Sequence, residues 1–149
     1  MSNGYSRPVR RARLDNVAPV LASADVAKTA AYYCTVLGFE VVEHYEAEER
    51  FATLYRDRVE IIVVQAKHGQ VESNASRFGA GYDLYFDPAD VEGIDLLYTE
   101  FADRGARIVR EPTMTSYGSY EFVIEDVDGR HVGVGRGKDE AVFFKGELS

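Results

Sequence analysis

Tryptophan is absent from this sequence, cysteine occurs once, as Cys34, and proline only four times in 149 residues. A lone thiol excludes an internal disulfide framework, so a chain about one domain long must be held together by burial. No run of about 18 apolar residues is present to span a membrane. The opening Met1-Ser2-Asn3-Gly4-Tyr5-Ser6-Arg7-Pro8 lacks the apolar stretch of a secretory leader. A cytoplasmic location with no membrane role is the expectation. Positive charge is scarce as well. Arg7, Arg10, Arg11 and Arg13 are the only charged residues before Asp15, and residues 15–149 hold 13 basic against 25 acidic side chains. Such a body repels phosphate backbones, which argues against a nucleic-acid partner, and its field favours cationic or neutral ligands. The basic arm reads as a solvated extension.

What is present is periodicity, and it occurs twice. Asn16 to Ala22 reads as a short strand with Pro19 at an edge or bulge, Asp25 caps a helix from Val26 to Val36, and Gly38 stops it. Strands follow at residues 39–45, 50–56 and 59–65. Residues 67–81, polar and rich in Gly and Ser, read as a linker. Tyr82 to Phe86 is then a strand, Asp90 caps a helix to about Asp103, Gly105 stops it, and residues 107–111, 120–125 and 131–136 are strands. Asp128-Gly129 between the last two is a strong hairpin signal. Matched signals, Ala24-Asp25-Val26 with Ala89-Asp90-Val91 and Gly38-Phe39-Glu40 with Gly105-Ala106-Arg107, mark a duplication of one βαβββ unit. The predicted fold is α+β: two tandem βαβββ units (16–66 and 82–136) forming a curved eight-stranded trough with the helices outside. All of 1–149 reads as a single domain, with tails at 1–15 and 137–149, the latter a tail or a short helix that packs on a partner.

These motifs resemble the vicinal oxygen chelate superfamily, which includes glyoxalase I, bleomycin-resistance proteins, fosfomycin-resistance enzymes and extradiol dioxygenases. Asp25-Val26, Tyr32-Tyr33 and Val36-Leu37-Gly38-Phe39 carry the resemblance in the first unit. Tyr117-Gly118, Glu121-Phe122 and Asp126-Val127-Asp128-Gly129 carry it in the second. The resemblance implies metal-ligand positions at Ala18, Ile62, Asp83 and Gly133, of which only Asp83 has a donor side chain. One carboxylate falls short of the three or four donors a divalent ion needs. No cofactor is therefore expected. A shifted site of Glu60, Asp83 and His131 for a divalent metal is the alternative.

Alternation places His131, Gly133 and Gly135 on one face of the last strand and Val132 and Val134 on the other. Glycines in a strand mark a bulge or the close approach of a ligand or another backbone. With Ala18 and Ile62 they are expected to floor a roomy trough, walled by some of the ten Tyr and eight Phe. The candidate ligand-binding residues are Ile62, Asp83, Tyr85, Tyr117, His131 and Gly133. Plainer roles stand beside them: a hydrogen-bonded hairpin residue for His131, an Arg-paired carboxylate for Asp83, and core packing for Tyr32 and Tyr33. His44 and His68 are expected to have none.

Two functions follow. The resemblance to the metal-free, bleomycin-resistance-like branch implies a non-catalytic small-molecule binding protein. It would sequester a cationic or aromatic ligand near Glu43, Glu60, Asp83 and Asp87, in clefts of a homodimer rimmed by 50–56, 59–65 and the linker. Lacking Trp, it is not expected to take bleomycin itself. The alternative is a glyoxalase- or dioxygenase-type lyase or isomerase, with Glu60 and His131 as catalytic residues in a shifted metal site or in metal-free acid-base chemistry. A trough filled by side chains would instead indicate a regulatory or structural module.

Overall fold

The structure, a computed structural model, describes residues 10–137; residues 1–9 and 138–149, with most of what was read into the two tails, lie outside the described residues. The first unit comprises β1 (Val20–Ser23), α1 (Val26–Thr35), β2 (Glu40–His44), β3 (Phe51–Arg56) and β4 (Val59–Gln65). After α2 (Asn74–Phe78), the second comprises β5 (Leu84–Phe86), α3 (Glu92–Asp103), β6 (Arg107–Met114), β7 (Ser119–Glu125) and β8 (His131–Gly137). The architecture is α+β, with two four-stranded sheets in the orders β1-β4-β3-β2 and β5-β8-β7-β6. In each unit the first strand pairs parallel with the fourth, Val20 opposite Ile62 and Tyr85 opposite Gly133, and the remaining ladders are antiparallel.

Local chemistry sets the boundaries. Asp25 caps α1 by accepting from Lys28 N at 3.3 Å. The segment 67–81, read as a structureless linker, contains the single-turn α2, because Ser73 Oγ accepts from Ser76 N at 2.9 Å and supplies a cap. β6 runs on past the predicted end at Glu111. Its register with β7 shifts between Ile108 and Arg110 and again between Arg110 and Thr113, the second shift spanning Pro112, which has no N–H to give to the ladder.

α1 and α3 each cover one face of their sheet and leave the other open, and the covered faces share one core. Ala30, Tyr33, Leu54, Ile61 and Val63 from the first unit join Ile94, Phe101, Phe122, Ile124 and Val132 from the second. Two polar clamps fix the halves together. Tyr33 Oη donates to Asp126 Oδ2 at 2.7 Å and Thr29 Oγ1 to Asp128 Oδ2 at 2.6 Å, tying α1 to the β7–β8 turn. The buried Arg130 donates to both carboxylates, at 3.1 and 3.2 Å. Asp126 Oδ1 also accepts from the backbone N–H groups of Asp128 and Arg130, and Gly129 supplies the positive φ of +84° that closes the turn. On the other side Arg56 donates to both Glu100 oxygens, at 2.7 and 3.0 Å, and to the Leu37 carbonyl. The Asp126-Val127-Asp128-Gly129 motif therefore does structural work, setting β8 against the first unit. Tyr33, fully buried, and Tyr32, packed against the core, likewise serve the interior, in line with the core packing expected of them.

Candidate functional site

On the open face of the second sheet, alternation brings Ser119, Glu121 and Val123 of β7 beside Gly137, Gly135 and Gly133 of β8. Tyr85 of β5 crosses to the same face from its place opposite Gly133. The glycines leave a trench, and the chain's own tyrosines lie in it. A Cβ on Gly133 would stand 2.8 Å from Tyr82 Cδ2 and 3.1 Å from Tyr85 Cδ1, and one on Gly135 would stand 2.7 Å from Glu121 Cγ and collide with the Tyr85 hydroxyl. The Tyr82 and Tyr85 rings lie nearly parallel over the trench, 13° apart in plane with centroids separated by 5.9 Å. Expected as a floor for a ligand, the glycine strand thus first accommodates two tyrosine rings.

The rings converge on one carboxylate. Glu121, whose side chain is 1% exposed, accepts from Tyr82 Oη at 2.8 Å, Tyr117 Oη at 2.7 Å and Tyr85 Oη at 2.6 Å. Arg110 Nη2 lies 2.6 Å from Tyr82 Oη and 3.3 Å from Glu121 Oε1. Burial works to raise the Glu121 pKa, but the hydrogen bonds from Tyr85, Tyr117 and Tyr82 outweigh it and hold the group below the usual carboxylate value. Burial and the bond to Glu121 push the Tyr85 phenol up to about 12 and raise Tyr117 as well. Beside the cluster is a cavity of about 260 Å³, lined in part by Tyr85, Asp87, Tyr117, Ser119, Glu121 and Arg136. Tyr85 and Tyr117 are still about half exposed, so ring surface remains to receive a ligand.

The predicted site residues fall into three groups. Tyr85, Tyr117 and Gly133 belong to this cluster. Asp83 and His131 lie at the far end of the same face, where they serve the backbone. Asp83 accepts from Asn74 N at 2.9 Å and His131 N at 2.8 Å, not from an arginine, and His131 Nε2 is 3.8 Å from Glu125 Oε1. Ile62 and Glu60 stand on the other sheet, where Glu60 accepts from Asn16 Nδ2 at 2.8 Å. Glu60, Asp83 and His131 are not brought together, and among the described residues no three His, Cys, Asp or Glu side chains are grouped to hold a metal ion. The positions the resemblance assigned to ligands therefore do not fit a divalent ion within one chain. Glu121, Tyr82 and Arg110 were missed. The parity of β7 puts Glu121 opposite Gly135, a signal that could have found it, whereas Tyr82 precedes β5 and carries no parity.

Elsewhere a groove of about 500 Å³ runs between the units on the covered side, lined mainly by apolar groups such as Phe39, Val59, Phe86, Leu97 and Phe101. Arg56, Asp57, Arg58 and Asp87 also line it. None of the helices is long and apolar enough to cross a membrane among the described residues.

Comparison with known proteins agrees with this architecture. The family model described as Glyoxalase/Bleomycin resistance protein/Dioxygenase superfamily matches residues 13–133. Among solved structures, a glyoxylase/bleomycin resistance protein/dioxygenase domain from Frankia sp. EAN1pec superposes with a TM-score of 0.68 at 17% identity, covering 89% of this chain and 99% of that one. The genomically encoded fosfomycin resistance protein of Listeria monocytogenes gives 0.64 at 14% identity, with 85% and 93% covered. Lactoylglutathione lyase from Agrobacterium tumefaciens gives 0.61 at 20% identity, with 84% and 96% covered. At these identities the likeness concerns the fold. No protein of curated function matches the chain.

Proposed function

Because the chain belongs to the Glyoxalase/Bleomycin resistance protein/Dioxygenase superfamily, we propose that it is a non-catalytic small-molecule binding protein. It sequesters a cationic or aromatic ligand on the tyrosine-lined open face of its second sheet. The observation that carries this reading is geometric: the hydroxyls of Tyr82, Tyr85 and Tyr117 all donate to the buried Glu121 carboxylate beside a cavity that Tyr85 and Tyr117 line, an arrangement that holds Glu121, Tyr85 and Tyr117 away from neutral pH, the carboxyl downward and the phenols upward. A proton-transfer catalyst needs a group poised near the working pH, and these three hold their protonation states across it. Accessible rings beside a buried carboxylate suit retention of a planar or charged molecule. An antibiotic-like ligand is in keeping with the resistance proteins among the structural neighbours. The reading requires no resident metal. It includes a homodimer in the cytoplasm, in which the exposed Val20, Val42 and Tyr55 on the open face of the first sheet would be covered by the second copy.

Equilibrium dialysis against a panel of small aromatic amines and quaternary ammonium compounds, with the metal-stripped protein, tests the proposal. Saturable binding, lost in Tyr85→Ala and returning the compound unchanged, supports it. Conversion of a bound compound, or binding that reappears only with added divalent metal, counts decisively against it.

A further inference from the structure

Neither Gly133 nor Gly135 adopts a positive φ, so the backbone does not require glycine at either position. Space requires it: a Cβ on Gly133 would meet Tyr82 Cδ2 at 2.8 Å and Tyr85 Cδ1 at 3.1 Å. The two rings are held differently. Tyr85 stands on β5, in register with Gly133. Tyr82 precedes that strand and, among the described residues, belongs neither to the hydrophobic core nor to the side chains packed on it. It follows Gly81, where a Cβ would meet no atom within 4 Å. Asp83, the next residue, is fixed: its carboxylate accepts from Asn74 N and His131 N, and its own N–H goes to the His131 carbonyl. Rotation about the Tyr82 Cα–Cβ bond therefore takes the ring out of the trench and leaves the core and the anchor at Asp83 in place.

The Tyr82 hydroxyl lies between opposite charges. It donates to Glu121 Oε1 at 2.8 Å and accepts from Arg110 Nη2 at 2.6 Å, while the Tyr117 hydroxyl reaches the same Oε1 at 2.7 Å. Tyr85 donates to Glu121 Oε2, and Ser119 is a further hydrogen-bond partner of the carboxylate. Arg136 brings positive charge to the neighbouring cavity, where it donates to Asp87 and to the Pro88 carbonyl. A group taking the place of the Tyr82 hydroxyl must give a proton to Glu121 and receive one from Arg110. An ammonium gives but cannot receive, and stands against a guanidinium. A carboxylate receives but cannot give, and stands against Glu121. A hydroxyl does both. The ring that carries it would lie over Tyr85 as the Tyr82 ring does, 13° from parallel. We propose, resting on the binding reading above, that Tyr82 is a tethered stand-in for the ligand, and that the ligand is a neutral hydroxyarene, a phenol, which displaces the Tyr82 ring and takes over its two hydrogen bonds.

The test compares p-cresol, which has the ring and hydroxyl of a tyrosine side chain, with benzylammonium and p-toluate. Each is titrated at neutral pH into the isotopically labelled full chain and into Tyr82→Ala, while the Gly133 and Gly135 amide and Tyr82 ring resonances are followed. A wall residue and a stand-in give opposite signs. Removing a wall weakens binding, whereas removing a ring that fills the trench for about nine-tenths of the time tightens it about tenfold. p-Cresol is therefore expected to saturate the unaltered chain, moving the Tyr82 ring resonances to those of an exposed tyrosine, and to bind Tyr82→Ala about tenfold more tightly or better. In the variant it should exceed both charged probes by about tenfold, the ratio of one charge-assisted hydrogen bond. Equal or weaker p-cresol binding by Tyr82→Ala, saturation with the Tyr82 ring still in place, or equal potency of the three probes overturns the inference and leaves the binding reading standing. Absence of a saturable shift with any probe in either protein overturns both. Tyr82→Phe, which keeps the ring and gives up its two hydrogen bonds, provides a second measurement should Tyr82→Ala lose its fold. It should tighten p-cresol by a smaller factor, and a weakening overturns the inference. The near-UV circular dichroism of each variant reports whether the remaining rings keep their packing.

Discussion

Gly133→Ala separates two accounts of the glycine strand, and the structure gives its sign. If Gly133 is small to admit the chain's own tyrosines, the new methyl lands 2.8 and 3.0 Å from Tyr82 Cδ2 and Cε2 and 3.1 Å from Tyr85 Cδ1. Carbon atoms do not approach so closely, so at least one ring must shift. The site is buried, and overpacking of this kind costs about 1–3 kcal/mol. Against it stands the entropic gain of replacing glycine where its backbone conformation is open to other residues, about 0.4–1 kcal/mol. The net expectation is a destabilisation of about 1–2 kcal/mol. In a Tyr82→Ala background the two closest contacts vanish and only the 3.1 Å approach to Tyr85 Cδ1 is left, so Gly133→Ala should cost markedly less. Urea unfolding of the four proteins of the cycle, read as midpoints at constant m, measures the coupling. A cost for Gly133→Ala that is the same with and without Tyr82, or a stabilisation in the otherwise unaltered protein, refutes the reasoning.

The acid limb of stability should depend on Glu121. A carboxyl held below its unfolded value contributes stability above that value and loses it as pH falls through the folded pKa, so Glu121→Gln should flatten the decline of Tm below about pH 4. Tyr85 has the opposite sign: raised to about 12, its phenol contributes stability below pH 10 that is lost between there and about 12, and ultraviolet titration of Tyr85→Phe should lack one late-ionising phenol. Tyr33→Phe strands the buried Asp126 carboxylate without one donor and should cost about 1.5–3 kcal/mol in urea unfolding, whereas a change under about 0.5 kcal/mol would mean that the clamp contributes little. Glu100→Gln, which weakens the two-pronged pair with Arg56, should cost about 1–2 kcal/mol, and added salt should shrink the difference only slightly because both side chains are mostly buried.

The tandem fold is legible from the chain because its signals are local. Asp25 and Asp90, Gly38 and Gly105, and the alternation around Asp128-Gly129 each act within a few residues of where they stand, and the two units follow from their repetition. The tyrosine cluster is legible only in pieces. Alternation puts Tyr85, Gly133 and Glu121 on one face, but that three hydroxyls meet on Glu121 depends on where a loop residue, Tyr82, and a turn residue, Tyr117, send their rings. The two glycines mark a close approach, and the pattern does not say whether a foreign molecule or the chain itself makes it. Asp83 shows the same limit: a lone acid at a strand end looks like a ligand or an ion-pair partner, and in the structure it accepts two backbone N–H groups from segments 48 and nine residues away.

The clamp of Tyr33 and Thr29 on the β7–β8 turn has a consequence for how the gene product could be divided. Adhesion between the halves resides in side chains of α1, the turn, β3 and α3, not in the covalent bridge of residues 67–81. Severed within that bridge, two fragments would carry complementary surfaces, one presenting the phenol and threonine and the other the aspartates. Co-expressed, they should find each other without a tether.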